Sequence, residues 1–215
     1  MTDTTTTESR PFKTRLFFAT SLDGFIARRN NDITWLTNPP KNSLHIQPTP
    51  AAYRQTPTFE EHISEVDFII MGRVTYDVCL SFPDWPYPLD KRLVVLSRTL
   101  EGPVTDKGED GGNQGPRQVR IAKSIELVED VLRAQKAKMV YVDGGEVGRE
   151  FLKRGWVDEM VVTRAPVLLG EGTALFGGTE GLEDVRFSLK GVDVIEDGMV
   201  SCYYVKTEAG TGGDA

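Results

Sequence analysis

Five short apolar runs in this chain do not alternate with polar residues. They are Leu16-Phe17-Phe18-Ala19, Phe68-Ile69-Ile70-Met71, Leu93-Val94-Val95-Leu96, Met139-Val140-Tyr141-Val142 and Met160-Val161-Val162. A strand with one wet face alternates; an unbroken run must be covered on both faces. The chain is therefore read as a mostly parallel sheet flanked by helices. The intervening segments supply them. Thr58-Phe59-Glu60-Glu61 is a capping box, after which Phe59, Ile63 and Val66 share one face. Residues 124–136 place Leu127, Val128, Val131 and Leu132 at helical spacing, with a Glu129/Arg133 pair. Val147, Phe151 and Leu152 form a third stripe, which Gly155 can stop. Near the end, Asp197-Gly198 lies between Phe187-Ser188-Leu189 and the apolar run from Val200 to Val205, a hairpin signal. The expected architecture is an α/β sandwich with an antiparallel finish.

Length and charge narrow the function. The 215 residues suit one domain, expected over residues 11–206, with disordered tails at 1–10 and 207–215. The proline-rich stretch 38–57 is expected to be irregular, and 102–117 a surface loop. A net charge of −7 argues against nucleic acid or an anionic membrane as partner. Residues 1–10 lack the apolar core of a secretory signal, and no apolar stretch is long enough to span a bilayer. The two cysteines, Cys79 and Cys202, read as reduced core thiols of a cytoplasmic protein. The two histidines lie far from any ligand cluster, so no metal is expected.

Four strand ends carry chemistry. Asp143-Gly144-Gly145-Glu146-Val147-Gly148 puts two glycines between a buried strand and a helix, where backbone amides can face an anion. It lacks the spacing of an ordinary dinucleotide fingerprint. Gly72-Arg73-Val74-Thr75 repeats the pattern, and Arg73 could grip a phosphate or pair with a nearby acid. Leu96-Ser97-Arg98 ends a third strand in a hydroxyl and a cation. Ala19-Thr20-Ser21-Leu22-Asp23-Gly24-Phe25-Ile26-Ala27 ends a fourth in a turn. In a parallel sheet these ends share the carboxyl edge, where ligands of open α/β sheets gather.

Together these segments resemble the dihydrofolate reductase superfamily, in the branch of the riboflavin-biosynthesis reductase domain and its stand-alone bacterial relatives. Val157-Asp158-Glu159-Met160 and Pro166-Val167-Leu168-Leu169-Gly170-Glu171-Gly172 extend the resemblance. It implies a three-layer sandwich, NADPH as hydride donor and a homodimer. Gly72, Arg73 and Thr75 would hold phosphates. Ser97 and Arg98 would lie near the adenosine 2′-phosphate, with Leu96 also against the cofactor, and Gly144, Gly145, Glu146, Val147 and Gly148 at the pyrophosphate. That last turn contains a cis peptide in dihydrofolate reductases. Ala19 and Ile26 would grip the nicotinamide, while Asp23, Trp35 and Thr163 would border the substrate. Dihydrofolate reductases also carry an acid shortly after the tryptophan; here Trp35-Leu36-Thr37-Asn38-Pro39-Pro40 has none, which argues against folate. The implied activity is hydride transfer to a carbonyl or imine of a small heterocyclic or sugar-like substrate, as in 5-amino-6-(5-phosphoribosylamino)uracil reductase. A stand-alone relative with another substrate, weak dihydrofolate reduction included, and a non-catalytic NADPH-binding module stay open. Asp23 and Glu171 are the candidate proton donors, beside water. Arg54 and Arg164 are candidates for a substrate phosphate.

Overall fold

The computed structural model describes residues 10–38, 47–102, 118–178 and 184–207. Both expected tails, apart from Arg10 and Thr207, lie outside these residues, as do 39–46 and nearly all of the expected loop at 102–117.

The elements run β1 (Lys13–Thr20), β2 (Phe25–Ala27), α1 (Thr34–Thr37), α2 (Phe59–Glu65), β3 (Phe68–Gly72), α3 (Arg73–Leu80), β4 (Arg92–Leu96), β5 (Gln118–Ala122), α4 (Ile125–Ala134), β6 (Met139–Asp143), α5 (Gly145–Lys153), β7 (Glu159–Arg164), β8 (Thr173–Ala174), β9 (Phe187–Val194) and β10 (Val200–Lys206). Eight strands form one sheet in the order β5-β4-β3-β6-β1-β7-β10-β9. β1 pairs in parallel with β6 and β7, and β3 with β4 and β6. Within this sheet β10 alone runs opposite to the other described strands, and β2 and β8 pair antiparallel in a separate two-stranded sheet. Asp197 and Gly198, both at positive φ, make the turn before it.

The unbroken runs divide between two cores. Phe68, Ile70, Val94, Val140 and Val142 pack against Val128 and Leu132 of α4 and Val147 and Phe151 of α5. Their neighbours Ile69, Met71, Leu93, Val95 and Tyr141 pack on the other face, against Ile63 of α2 and Tyr76 and Cys79 of α3. Successive residues of a strand point to opposite faces, so a run with no polar member fills both. The molecule is the three-layer sandwich that the runs require.

Some segments are tied down more firmly than their sequence suggests. Arg10, placed in the expected tail, lies 2.5 Å from Asp158 and donates to the Trp156 carbonyl. The irregular stretch after Gln47 is clamped to β9, where one Asp193 oxygen accepts from the Gln55 and Thr56 amides and the Thr56 hydroxyl.

Beneath α2 lies a buried polar cluster. Arg15 meets Glu159 at 2.6 Å and Glu65 at 2.9 Å. His62 is fully buried beside it, stacked on Phe17 with ring centroids 4.9 Å apart. Burial, aided by the Arg15 charge, holds the His62 pKa down at about 3.

The four longest helices start in two different ways. Thr58 caps α2 in the full capping box, and the Ser124 hydroxyl caps α4. α3 and α5 begin after Gly72 and Gly144, and no side chain caps either. Their first-turn amides are left for another acceptor.

Candidate active site

The parallel pairing brings the ends of β3, β4, β6, β1 and β7 to one edge of the sheet. A cavity of about 420 Å³ opens there. Its wall includes Phe17, Phe18, Ile33, Leu36, Val78 and Phe82, and its rim takes in the starts of both uncapped helices.

Those two starts touch. Gly144 sits at φ 89°, ψ 134°, in the left-handed half of backbone space. A Cβ there would stand 2.3 Å from the Thr75 hydroxyl oxygen, and one on Gly145 would stand 2.6 Å from Ile26 Cδ1. Neither position has room for a side chain while Thr75 and Ile26 stay where they are. The turn takes this shape without a cis peptide; none occurs among the described residues, unlike the turn that the resemblance implies.

Of the residues expected to hold a nucleotide, Ala19, Ile26, Gly72, Thr75, Gly144, Gly145, Glu146 and Val147 line this cavity. The others do not. Gly148 is packed against Leu16 and Phe18 inside the core. Arg73 is engaged by Asp77 one helical turn on, at 2.7 Å, which is the ion-pair alternative its sequence allowed. Leu96 packs against the core, and the Ser97 hydroxyl accepts from the Leu100 amide at 3.1 Å. Arg98 is exposed at the end of β4.

The expected substrate residues and acids lie elsewhere as well. Trp35 is buried and lines a separate hollow of about 370 Å³ with Arg28, Pro166 and Met199. Thr163 is buried in β7, bonded to the Ser201 hydroxyl at 3.3 Å. Asp23 is exposed and accepts from the Ser21 hydroxyl at 2.5 Å and the Gly170 amide at 2.7 Å. These donors, the Ser21 hydroxyl foremost, lower its pKa to about 2. So held, Asp23 closes the turn against residues 169–170 and has no proton to give at neutral pH. Glu171 is a solvated loop acid, 3.1 Å from Arg29. Arg54 is exposed, and Arg164 faces another hollow beside Val162 and Tyr204.

The cavity holds three groups that the sequence reading did not single out. Asp143, the last residue of β6, faces it, accepting from the Gly144 amide at 2.8 Å and from the Tyr87 hydroxyl. Burial raises its pKa against the pull of the Tyr87 and Tyr141 hydroxyls and the Gly144 amide. Arg149 of α5 brings a cation, donating at 2.8 Å to the Ala174 carbonyl. Tyr87 comes from the segment between α3 and β4. Arg149, one turn past Gly145, and Asp143, in front of the glycines, both adjoin a motif visible in the sequence; nothing local points to Tyr87.

This site lies within a recognisable domain. The model of the RibD C-terminal domain matches residues 13–201. The chain belongs to that family. Among curated relatives of this RibD C-terminal domain is the uncharacterized protein YwjB of Bacillus subtilis (strain 168), 28% identical over 196 residues, which are 90% of this chain and 98% of YwjB. Among solved structures is a Shewanella sp. PV-4 protein provisionally named a riboflavin biosynthesis protein. It is 32% identical with a TM-score of 0.70, covering 92% of this chain and all of that one. RibD of Acinetobacter baumannii shares the fold at 20% identity and a TM-score of 0.61. That match covers 91% of this chain and 58% of the Acinetobacter protein.

Proposed function

We propose that this protein is an NADPH-dependent reductase that transfers hydride to a carbonyl or imine carbon of a small heterocyclic or sugar-like substrate. One observation carries the reading. The two helices that begin at the cavity have glycine and no cap, whereas α2 and α4 carry side-chain caps. Free amides at a helix start, with the positive end of its dipole, favour phosphate.

The residues fit such a nucleotide. The amides after Gly72 and Gly144, the Thr75 hydroxyl and the Arg149 guanidinium would hold phosphates, and Ala19 and Ile26 would border the nicotinamide. NADPH supplies the hydride when bound; the chain orients it and keeps water out. The aromatic and aliphatic wall formed by Phe17, Phe18, Leu36 and Phe82 suits a flat ring.

The family points to the substrate class. A solved relative from Thermotoga maritima is described as a diaminohydroxyphosphoribosylaminopyrimidine deaminase/5-amino-6-(5-phosphoribosylamino)uracil reductase. A reduction of that kind, on this or a related compound, is the reaction inferred here.

NADPH titration by fluorescence tests the first half, with NADH alongside. Saturable NADPH binding that Arg98→Ala weakens more than NADH binding is expected; equal loss refutes the placing of Arg98 at the 2′-phosphate. A screen of carbonyls and imines, the phosphoribosylaminouracil included, tests the second half by NADPH oxidation. Binding without oxidation of NADPH by any of them identifies a nucleotide-binding module instead. Folded protein that binds no NADPH refutes both.

A further inference from the structure

The cavity is unlike at its two ends. Where α3 and α5 start, it offers backbone amides and the Thr75 hydroxyl. Further along α3 it is apolar. Val78 lies about 9 Å along the helix axis from Gly72, and Phe82 follows on the same side. Ile33 and Leu36, at the start of α1 and within it, and Phe17 of β1 add to the apolar lining. We propose that the compound reduced here is an uncharged ring carrying no phosphate, held at this apolar end. The inference rests on the function proposed above and narrows its substrate class.

The charges around the cavity carry it. Among the described residues its wall holds three charged side chains: Asp143, Glu146 and Arg149. The two carboxyl groups give a phosphate nothing to pair with. The single cation stands at the nucleotide end: a Cβ on Gly145, the first residue of α5, would lie 2.9 Å from Arg149 Nη1. That nitrogen also donates to the Ala174 carbonyl. The cofactor's own phosphates therefore claim it. Cations on neighbouring elements are turned to other partners. Arg73 meets Asp77 at 2.7 Å, Arg28 meets Asp32 at 3.4 Å, and Arg29 meets Glu171 at 3.1 Å. Arg28 and Arg164 line other hollows, and Arg54 is exposed on the segment clamped to β9.

A phosphate monoester carries a charge of about −1.5 to −2 near neutral pH. Set against Val78, Phe82 and Leu36 it would lose water and gain no partner, the costliest way to bury a charge. An uncharged ring avoids that cost and gains the contact area of Phe17 and Phe82. Size acts in the same direction. Ligand pockets run from about 300 to 1,000 Å³. This one, about 420 Å³, has to admit the nicotinamide as well as the compound it reduces. A ring fits the remainder better than a ring extended by a sugar phosphate.

Compounds that differ only in a phosphate test the inference. 5-Amino-6-(5-phosphoribosylamino)uracil and its phosphate-free counterpart are one pair, and other carbonyl and imine pairs join them. Each pair is measured twice: by NADPH oxidation, and by calorimetry on protein saturated with NADP⁺, where binding is read without turnover. The phosphate-free member should bind and react roughly 10–100-fold better, the cost of leaving one charged group without its partner. Val78→Arg supplies the missing cation and should shrink that ratio by about tenfold or more. Leu36→Arg serves the same purpose if Val78→Arg does not fold. Phosphorylated members that bind and react as well as their counterparts overturn the inference and leave the reductase standing, as does a ratio that neither arginine variant changes. Wild-type protein that takes up no NADP⁺, or that oxidises NADPH with no member of any pair, overturns the inference together with the reductase activity.

Discussion

Gly144→Ala is the sharpest probe of the nucleotide turn, because the structure assigns it two separable costs. The first is conformational. A residue with a side chain at φ 89°, ψ 134° sits where only glycine rests easily, at about 1–3 kcal/mol. The second is steric. The new Cβ would stand 2.3 Å from the Thr75 hydroxyl oxygen and 3.8 Å from its methyl carbon, and forcing an extra methyl into such a contact costs about 1–3 kcal/mol. The sum, about 2–6 kcal/mol, is a large part of a domain's stability. Thr75→Ala deletes the hydroxyl and methyl, leaving its Cβ at 3.4 Å, which the turn can absorb. The double variant should therefore regain the steric part and keep the conformational one. Urea unfolding of the wild type, both single variants and the double variant measures this as a cycle. Additive effects, with coupling below about 0.5 kcal/mol, would show that Thr75 and Gly144 do not touch and would undo the claim that the two helix starts form one site.

Other outcomes follow from the same geometry. Folded His62 stays neutral down to about pH 3 whereas unfolded histidine takes its proton near 6.5, so the unfolded state binds the extra proton between them. Stability should thus be full above that window and fall on acidification, by about 1.4 kcal/mol per pH unit below 6.5; unfolding curves at several pH values check it, and an unchanged slope in His62→Gln refutes it. Arg149→Gln should weaken NADPH by roughly 10–100-fold, the loss of one charged hydrogen bond, with little change in melting temperature. Equal NADPH affinity in titration would remove Arg149 from the phosphate site. The homodimer implied by the resemblance needs an apolar face, and the hollow lined by Val162, Phe176 and Val200 offers one. Light scattering should give a dimer mass for the wild type and a monomer mass for Val200→Asp; a monomeric wild type refutes that surface.

The fold was legible where the pattern was extreme. Runs such as Phe68-Ile69-Ile70-Met71 admit little but a doubly covered strand, and Asp197-Gly198 admits little but a turn. β5 escaped notice because Gln118 and Arg120 interrupt its apolar residues, as an edge strand permits. β2 and β8 are too short to carry a period. In the site, glycines were legible because their role is a backbone role, written in one residue. The charged side chains were not. Arg73, Asp23 and Glu171 each found a nearby partner, and which way a long side chain turns depends on neighbours that sequence spacing does not give. Tyr87 reaches Asp143 across 56 residues, and no local pattern announces such a contact.

The position of β1 also has a price in time. It is the first strand made, yet both partners, β6 and β7, come more than a hundred residues later. During synthesis its apolar residues, Leu16 and Phe18 among them, have no permanent neighbours for on the order of ten seconds. The sheet then closes around its oldest strand once the youngest parallel ones emerge. A nascent chain halted before β6 should stay sensitive to protease and bound by chaperones, and one halted beyond β10 should not. The carboxyl edge on which the cavity stands is therefore among the last features of this molecule to exist.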